Sequence, residues 1–534
     1  MDVKIVLIDG YIDDPAALGV PPYISPVSRA VAGAIIDAGS KVEYITIDKI
    51  RKGHRIPKSK ISVLISGSTV PGKYIRSMPM SLKEIREILP LIGGRKLIGG
   101  AAAFSAISKE FDFTAKNDPA ALVYDILTEK KVTDRFRTLN EWNRWMILGA
   151  SIVTQHQDHP CPLIAEIETY RGCHRYISGG CSYCIEPLKG KPLMRSPEDI
   201  LMEAKELKKF GVRNIRVGGQ TCIISYGSED NSSIPRPNPN AIHELFHGLK
   251  KLNFDVLHVD NANPTVISKY PEESKEILDI LVKCCTSGNV LALGMESADT
   301  RVIKENNLNS TPNQVLDAIR IINKIGKEIG ENGMPRLLPG LNFIVGLSGE
   351  SKETYSMNKE FLQKILNEEL KVRRINIRQV LPIRRNFDTK INLNFFKKYK
   401  HDIRTTIDHN MLQTIVPKGT ILRKVFMEIN DGNTTFGRQI GSYPLLVGIP
   451  YHLECGRFYD VKITDWGFRS VTGVEYPFRI NHATMNAISS LPGIGKKRAA
   501  SIIKNRPYHL LNELSRAIDD RNIIENLKEF ISFE

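Results

Sequence analysis

No stretch of this chain stays apolar for the roughly 18–20 residues a helix needs to cross a bilayer. Even Trp145-Met-Ile-Leu-Gly-Ala-Ser-Ile-Val is too short. The start, Met1-Asp-Val-Lys-Ile-Val-Leu-Ile-Asp-Gly, lacks the basic residues, longer apolar run and small-residue cleavage site of a signal peptide, and reads as a strand and a turn. Cysteine is sparse: eight in 534 residues, with none before Cys161. That is too few for a disulfide scaffold. The expectation is a cytoplasmic protein with no membrane partner, in which clustered thiols serve a metal or catalysis.

What is there belongs to a folded chain, with 42% hydrophobic and 25% charged residues and a length that suits three or four domains. The net charge of +15 suggests a polyanionic partner. Half of the cysteines, Cys161, Cys173, Cys181 and Cys184, fall within 24 residues.

The first 135 residues alternate β-branched runs (Lys4–Ile8, Val42–Ile47, Ile61–Ser66) with helical spacing over Ser28–Gly39 and Leu82–Leu89. This predicts a Rossmann-like α/β domain over 1–135. Residues 136–162 read as a linker, because Gln155–Pro162 is polar. His156 and His159 within it suit a solvated loop better than a second metal site.

A second α/β series predicts strands at Ala165–Tyr170, Asn214–Val217, Val256–Val259, Val290–Met295, Leu341–Val345 and Ile375–Val380. Helical patterns at Pro197–Lys209, Ala241–Leu252, Glu273–Cys284, Pro312–Ile329 and Lys352–Leu366 separate them. Six strands with intervening helices predict a (β/α)6 partial barrel over 163–410, its site at the strand C-termini. No internal repeat accompanies the rhythm. Residues 411–478 predict a small all-β barrel with strands at Thr420–Ile429, Tyr459–Thr464 and Ser470–Glu475. Residues 479–534 are helical, broken by Leu491-Pro-Gly-Ile-Gly.

The strongest motif runs from Arg171-Gly-Cys-His to Gly180-Cys-Ser-Tyr-Cys, with cysteines spaced C-x7-C-x2-C after the first barrel strand. Gly172, Gly179 and Gly180 give the loop freedom to wrap a metal group. Three ligands for a four-iron cluster leave one iron open to a small chelating molecule. A structural zinc site with His174 or Cys161 as fourth ligand is the alternative.

The segment resembles the radical S-adenosylmethionine (SAM) superfamily, whose usual spacing is C-x3-C-x2-C with an aromatic residue before the last cysteine. Tyr183 fits that place, while the seven-residue first gap departs from the pattern. The later barrel segments carry the likeness further. Val217-Gly-Gly-Gln resembles the glycine motif, marking Gly218, Gly219 and Gln220. Leu293-Gly-Met-Glu-Ser resembles the fourth-strand segment, marking Glu296 and Ser297. Phe343-Ile-Val-Gly-Leu-Ser-Gly-Glu resembles the fifth, ending at Glu350. Ile375-Asn-Ile-Arg-Gln resembles the sixth, with Arg378 and Gln379 at the barrel mouth. Each segment taken singly is also an ordinary βα turn.

The resemblance implies a 4Fe–4S cluster on Cys173, Cys181 and Cys184. It also implies SAM bound by Tyr183, Gly218, Gly219, Gln220, Glu296, Ser297 and Glu350, and an electron donor such as a ferredoxin or flavodoxin. The chemistry it implies is reductive cleavage of SAM to a 5′-deoxyadenosyl radical. Cys222, Cys284, Cys285 and Cys455 read as ordinary buried thiols.

Around the core, Gly19-Val-Pro-Pro-Tyr-Ile-Ser-Pro-Val-Ser resembles the opening of cobalamin-binding domains, although no Asp-x-His-x-x-Gly motif is present. Cobalamin as a further cofactor and an empty scaffold both remain open. Methylthiotransferases share the domain order but carry three cysteines in this first domain, which this chain lacks. Residues 417–477 resemble a TRAM (OB-like) barrel, with Arg438, Tyr443 and Arg457 as RNA-contacting candidates; a barrel that only packs is the alternative. Leu491–Ile503 resembles a helix-hairpin-helix motif that would seat a phosphate on Gly493, Gly495, Lys496, Lys497 and Arg498; a protein-docking role is the alternative. Lys371–Lys400 holds ten basic residues and one acid, Asp388, either an RNA-facing edge or a solvated face. The leading expectation is a radical SAM enzyme acting on nucleic acid, namely structured RNA. The alternatives are a cobalamin-dependent methylase of a protein or small molecule, and a non-enzymatic nucleic-acid-binding protein with a structural metal.

Overall fold

β-branched runs pair in parallel at the N-terminus to give a five-stranded sheet. Its order is Lys41–Thr46, Lys4–Asp13, Ile61–Ser68, Arg95–Gly99, Phe113–Thr114. The structure is a computed structural model that describes residues 4–14, 18–69, 74–387 and 391–534; Asp388 and Lys390 of the basic run lie outside these. The strand Lys4–Asp13 is buried along almost its whole length, as a central parallel strand covered on both faces must be. Helix Pro26–Asp37 starts where Ser25 accepts the Val27 N–H with proline in the first turn. Leu82–Ile88 starts with a Ser81/Glu84 capping box. The strand order reverses between Lys4–Asp13 and Ile61–Ser68, the switch point of a doubly wound sheet.

Residues 136–162 are not a linker. Helix Leu139–Leu148, capped by Thr138 and Glu141, buries Trp142 and Trp145 completely. It packs on Pro26–Asp37 at a very close approach: a Cβ on Gly33 would lie 1.8 Å from the Trp145 carbonyl oxygen, and one on Gly149 1.9 Å from that of Arg29. Nor is the polar run that follows solvated. His156 is buried, Gln155 accepts the Tyr44 N–H at 2.8 Å, and Gln157 donates to Tyr11 at 3.0 Å. The apolar spacing of Trp142, Trp145 and Met146 was the overlooked signal.

The six core strands are Ile164–Glu168, Asn214–Gly218, Val256–Val259, Asn289–Glu296, Leu337–Val345 and Arg374–Gln379. They form two parallel sheets joined by the isolated bridge Ala262–Leu293. Helices Pro197–Lys209, Pro239–Lys251, Pro271–Cys284, Pro312–Gly326 and Lys352–Asn367 cover the outside. Prolines in the first turn start four of them. Tyr23–Ile24 pairs with Ile164–Ala165 and so adds a short edge strand to the core from the N-terminal domain. A buried triad fastens the two units: Glu203 accepts from Arg29 at 2.6 Å and from Arg195 at 2.5 Å.

Residues Ile421–Trp466 and Ser470–Glu475 form a closed five-stranded barrel. Its order is Ile421–Asp431, Thr434–Gln439, Leu446–Ile449, Ser470–Glu475, Phe458–Trp466, and the last strand returns to the first. The second and third strands are short and interrupted by Gly437 and Gly448, which hid them in the sequence. In the tail, helices Met485–Ser489 and Lys496–Lys504 flank the glycine turn, and Ile531–Ser532 pairs back on Phe478–Arg479 beside the barrel. No described helix is long and apolar enough to cross a membrane.

Candidate active site

Tyr170–Arg171 pairs antiparallel with Leu193–Met194, which closes the base of the loop that carries the three cysteines. Cys173 caps the turn His174–Ser178, its Sγ accepting the Arg175 N–H at 3.4 Å. Gly179 and Gly180 both adopt positive φ (76° and 63°), and a Cβ on Gly180 would collide with Pro187 Cγ at 2.2 Å. Glycine is required there by the turn itself.

The loop is held by residues that sequence reasoning missed. Arg384 donates to the carbonyls of Gly179 (2.7 Å), Cys181 (2.8 Å) and Cys184 (3.2 Å). Asn307 donates to those of Ser178 and Gly180 at 3.0 and 2.9 Å. The Ser182 N–H donates to the Asn306 carbonyl at 3.0 Å. Arg175 reaches Cys181 Sγ at 3.0 Å and Asn307 Oδ1 at 2.9 Å. Arg384 stood in the basic run, where its charge suggested a surface and its backbone role left no trace.

Burial pushes the Cys181 and Cys184 thiols up to about 12, and neighbouring Glu296, Glu186 and the other thiols of the loop add to this. Thiolates there need a positive group to bind. Among the described residues no three His, Cys, Asp or Glu side chains are gathered closely enough to hold a single metal ion. A larger, multi-metal group with thiolate ligands suits three thiols set around a glycine-rich loop.

The strand-end residues divide. The Tyr183 hydroxyl donates to Glu296 Oε1 at 2.9 Å, and its ring packs in a small apolar cluster with Val302, Leu308 and Leu347. Glu296 is buried at a positive φ of 53°, and burial raises its carboxyl to about 7. Gly294 leaves the room its carboxylate folds into. Ser297 Oγ accepts the Asp299 N–H at 3.2 Å. Gln220 is buried and fully engaged, donating to the Asp260 carbonyl at 2.9 Å and accepting from Thr169 at 3.2 Å. That leaves the backbone of Gly218 and Gly219 as the usable part of the glycine motif. Glu350 closes its own loop, accepting from the Gly346 N–H (2.8 Å) and the Tyr355 hydroxyl (2.6 Å).

Side chains that alternate away from the helix-packed face of the strands meet inside the barrel. Glu166, Arg216 and His258 are register neighbours. Arg216 pairs with Glu166 at 3.2 Å and with Asp260. Both flanking units reach in. The Leu18 N–H donates to Glu166 at 2.8 Å, Tyr443 donates to Asp260 at 2.6 Å, and the Ser442 N–H donates to His258 at 2.8 Å. Tyr443, expected on an RNA-facing surface, thus stands in the core between Arg216 and Arg374 (5.7 and 4.3 Å to its ring). Arg438 is likewise turned inward onto Glu428. Arg457 is exposed and pairs with Glu454.

In the tail, Lys496 and Lys497 are exposed beside Gly493 and Gly495. Arg498 is occupied, donating to the Gly493 carbonyl and to Asp519, both at 3.1 Å. A cavity of about 540 Å³ between Ile329–Gly333 and the small barrel is lined by Lys371 of the basic run and by none of the cluster, SAM or helix-hairpin-helix candidates.

The radical SAM superfamily profile matches residues 167–362, which contain the cysteine loop, the glycine motif, Glu296 and Glu350. The chain belongs to the radical SAM superfamily. An uncharacterized protein of Methanocaldococcus jannaschii is 45% identical over 507 residues, spanning 88% of this chain and 93% of that protein. The ribosomal protein uS12 methylthiotransferase RimO of Clostridium novyi is 26% identical, over 57% of this chain and 64% of its own length. A tRNA-2-methylthio-N(6)-dimethylallyladenosine synthase of Lachnoclostridium phytofermentans is 26% identical, over 38% of this chain and 39% of its own. Radical SAM enzymes use a 4Fe–4S cluster and SAM, which when bound supply an organic radical. The chain supplies the thiols of a glycine-shaped loop, an arginine on one sulfur, a carboxyl–phenol pair beside that loop, and a charged interior closed off by both flanking units.

Proposed function

We propose that this radical SAM enzyme is a cytoplasmic RNA-modifying enzyme, with Cys173, Cys181 and Cys184 as cluster ligands. In this reading Tyr183, Glu296, Ser297 and the Gly218–Gly219 backbone line the SAM site, and an electron arrives from a ferredoxin- or flavodoxin-type donor. One observation carries the substrate class: the closed β-barrel is fastened into the core by Ser442 and Tyr443, so a strand held on its surface lies next to the reaction space. Support also comes from the +15 charge and from the tRNA-modifying relative. Lys496 and Lys497 at a helix N-terminus suit a phosphate, with Gly493 and Gly495 shaping the turn. Arg498 supports that turn.

Comparing the modified nucleosides of a deletion strain and its parent by mass spectrometry tests this reading. One nucleoside missing from the deletion strain is the expected result, and identical profiles refute it. Anaerobically reconstituted protein should in addition show a 4Fe–4S signal that changes on adding SAM.

A second reading, cobalamin-dependent methyl transfer, is favoured by the switch point between Lys4–Asp13 and Ile61–Ser68. Cobalamin copurifying with the protein would support it, and cobalamin-free protein of full activity would exclude it.

A further inference from the structure

Three elements distant in sequence bring six basic side chains to the side of the core where its last strand, Arg374–Gln379, has no further neighbouring strand among the described residues. That strand and the residue before it carry Arg373, Arg374 and Arg378. Helix Leu393–Ile403 and the turn after it carry Lys400 and Arg404. The small barrel carries Arg469, between Phe458–Trp466 and Ser470–Glu475. Phe468 locks the barrel to the helix, edge-on to His401 at 5.9 Å and to His409 at 6.4 Å. His409 also bonds the Gly467 carbonyl at 3.1 Å.

Acids are few here. Asp408 lies 3.9 Å from Arg469 and also faces Arg373 and Arg404, while Asp13 and Asp260 face the strand at longer range. Arg374 donates to Asn376 and stacks on Tyr443. Arg373, Arg378, Lys400 and Arg404 make no salt bridge among the described residues. Burial, with a smaller push from Arg469, lowers Arg373 to about 9, and burial lowers Arg374 to about 10, with Arg469 and Arg378 adding to it. Six cations around one close carboxylate repel one another, and an anion relieves that repulsion. Arg374 and Arg378 sit four residues apart on one strand face, roughly 13 Å. Lys400 and Arg404 are one helical turn apart. Such a span suits successive charges on a polymer better than one small anion.

We propose that this basic cluster is a phosphodiester site that seats the RNA backbone at the open side of the barrel, directing the target nucleoside inward. The proposal rests on the RNA reading above and adds where the strand lies. Guanidinium forks match phosphate oxygens, and the turn that brings in Arg469 couples the small barrel to the same strand.

Fluorescence anisotropy with a fluorescein-labelled 15-nucleotide oligouridylate, titrated at several KCl concentrations, is the test. Neither the Arg378 nor the Lys400 side chain makes a hydrogen bond or salt bridge among the described residues, so Arg378→Gln/Lys400→Gln is expected to keep the fold; unchanged melting and an unchanged cluster spectrum verify it. The affinity should fall about tenfold or more, and the slope of log Kd against log salt should drop by roughly 0.7 per lost phosphate contact. Arg378→Lys/Lys400→Arg should retain the wild-type slope. Wild-type affinity and slope in the Gln variant overturn the phosphodiester site and leave the RNA reading standing. If the wild-type protein binds no RNA at any salt, the RNA reading falls and takes the phosphodiester site with it.

Discussion

Arg175 donates through Nη1 to the Sγ of Cys181 at 3.0 Å, while its other nitrogen is fixed on Asn307. A hydrogen bond and a positive charge at a cluster sulfur favour the reduced, more negative state and so raise the reduction potential. Arg175→Met should therefore shift the cluster to a more negative potential while keeping its iron. An EPR-monitored redox titration checks this, and an unchanged potential would show that the contact does not tune the cluster.

Gly218 belongs to the motif that resembles a cofactor-binding turn, yet it has a structural reason of its own. A Cβ here would lie 2.2 Å from Glu166 Oε1, inside the Glu166–Arg216–Asp260 network. Gly218→Ala should cost about 1–3 kcal/mol of stability in protein free of cluster and SAM. Thermal unfolding of the metal-free protein measures it. An unperturbed melt with weakened SAM binding would assign the glycine to the cofactor alone.

The periodic parts of the molecule were legible. Each core strand shows a short apolar run or an apolar alternation, and each covering helix shows apolar spacing with a proline or cap at its start, because both patterns are local. The cysteine loop was legible because its spacing is local too. What escaped was long-range. Arg384 looked like surface charge until it was seen 200 residues away on Cys184. Tyr443 looked like a stacking platform until Asp260 claimed its hydroxyl. Gln155–Pro162 looked solvated because its polar partners, Tyr44 and Tyr11, lie more than a hundred residues earlier. Polar side chains do not announce whether their partner is water or protein.

Glu203 is fully buried between Arg29 of the N-terminal domain and Arg195 of the core. Burial opposes its ionisation, but the two arginines outweigh that and hold its carboxyl below the ordinary 4.5. The folded state is the stronger acid, so this contribution is present above the ordinary value and lost as pH falls through the lower, folded one. Glu203→Ala leaves two buried guanidiniums unpaired and should cost about 3–5 kcal/mol. Denaturant melts at pH 7 and at pH 4 check both points: the difference between wild type and variant should narrow in acid. A constant difference would remove the pair from the acid sensitivity.

Arg384 spans three carbonyls of the cysteine loop, those of Gly179, Cys181 and Cys184, from a segment beyond the last core strand. A charged donor on carbonyls is worth about 1.5–3 kcal/mol. Without it the loop should open about tenfold more often, since 1.4 kcal/mol is a factor of ten in population. Lysine presents a single nitrogen and cannot span three acceptors, so Arg384→Lys should behave much like Arg384→Gln. Limited proteolysis of metal-free protein reads the opening as faster cleavage between Gly172 and Lys191, and iron retained after desalting reads its consequence. Equal cleavage rates in wild type and both variants would mean that Asn306 and Asn307 hold the loop by themselves, since their bonds to Ser182, Ser178 and Gly180 are the other clamp on it.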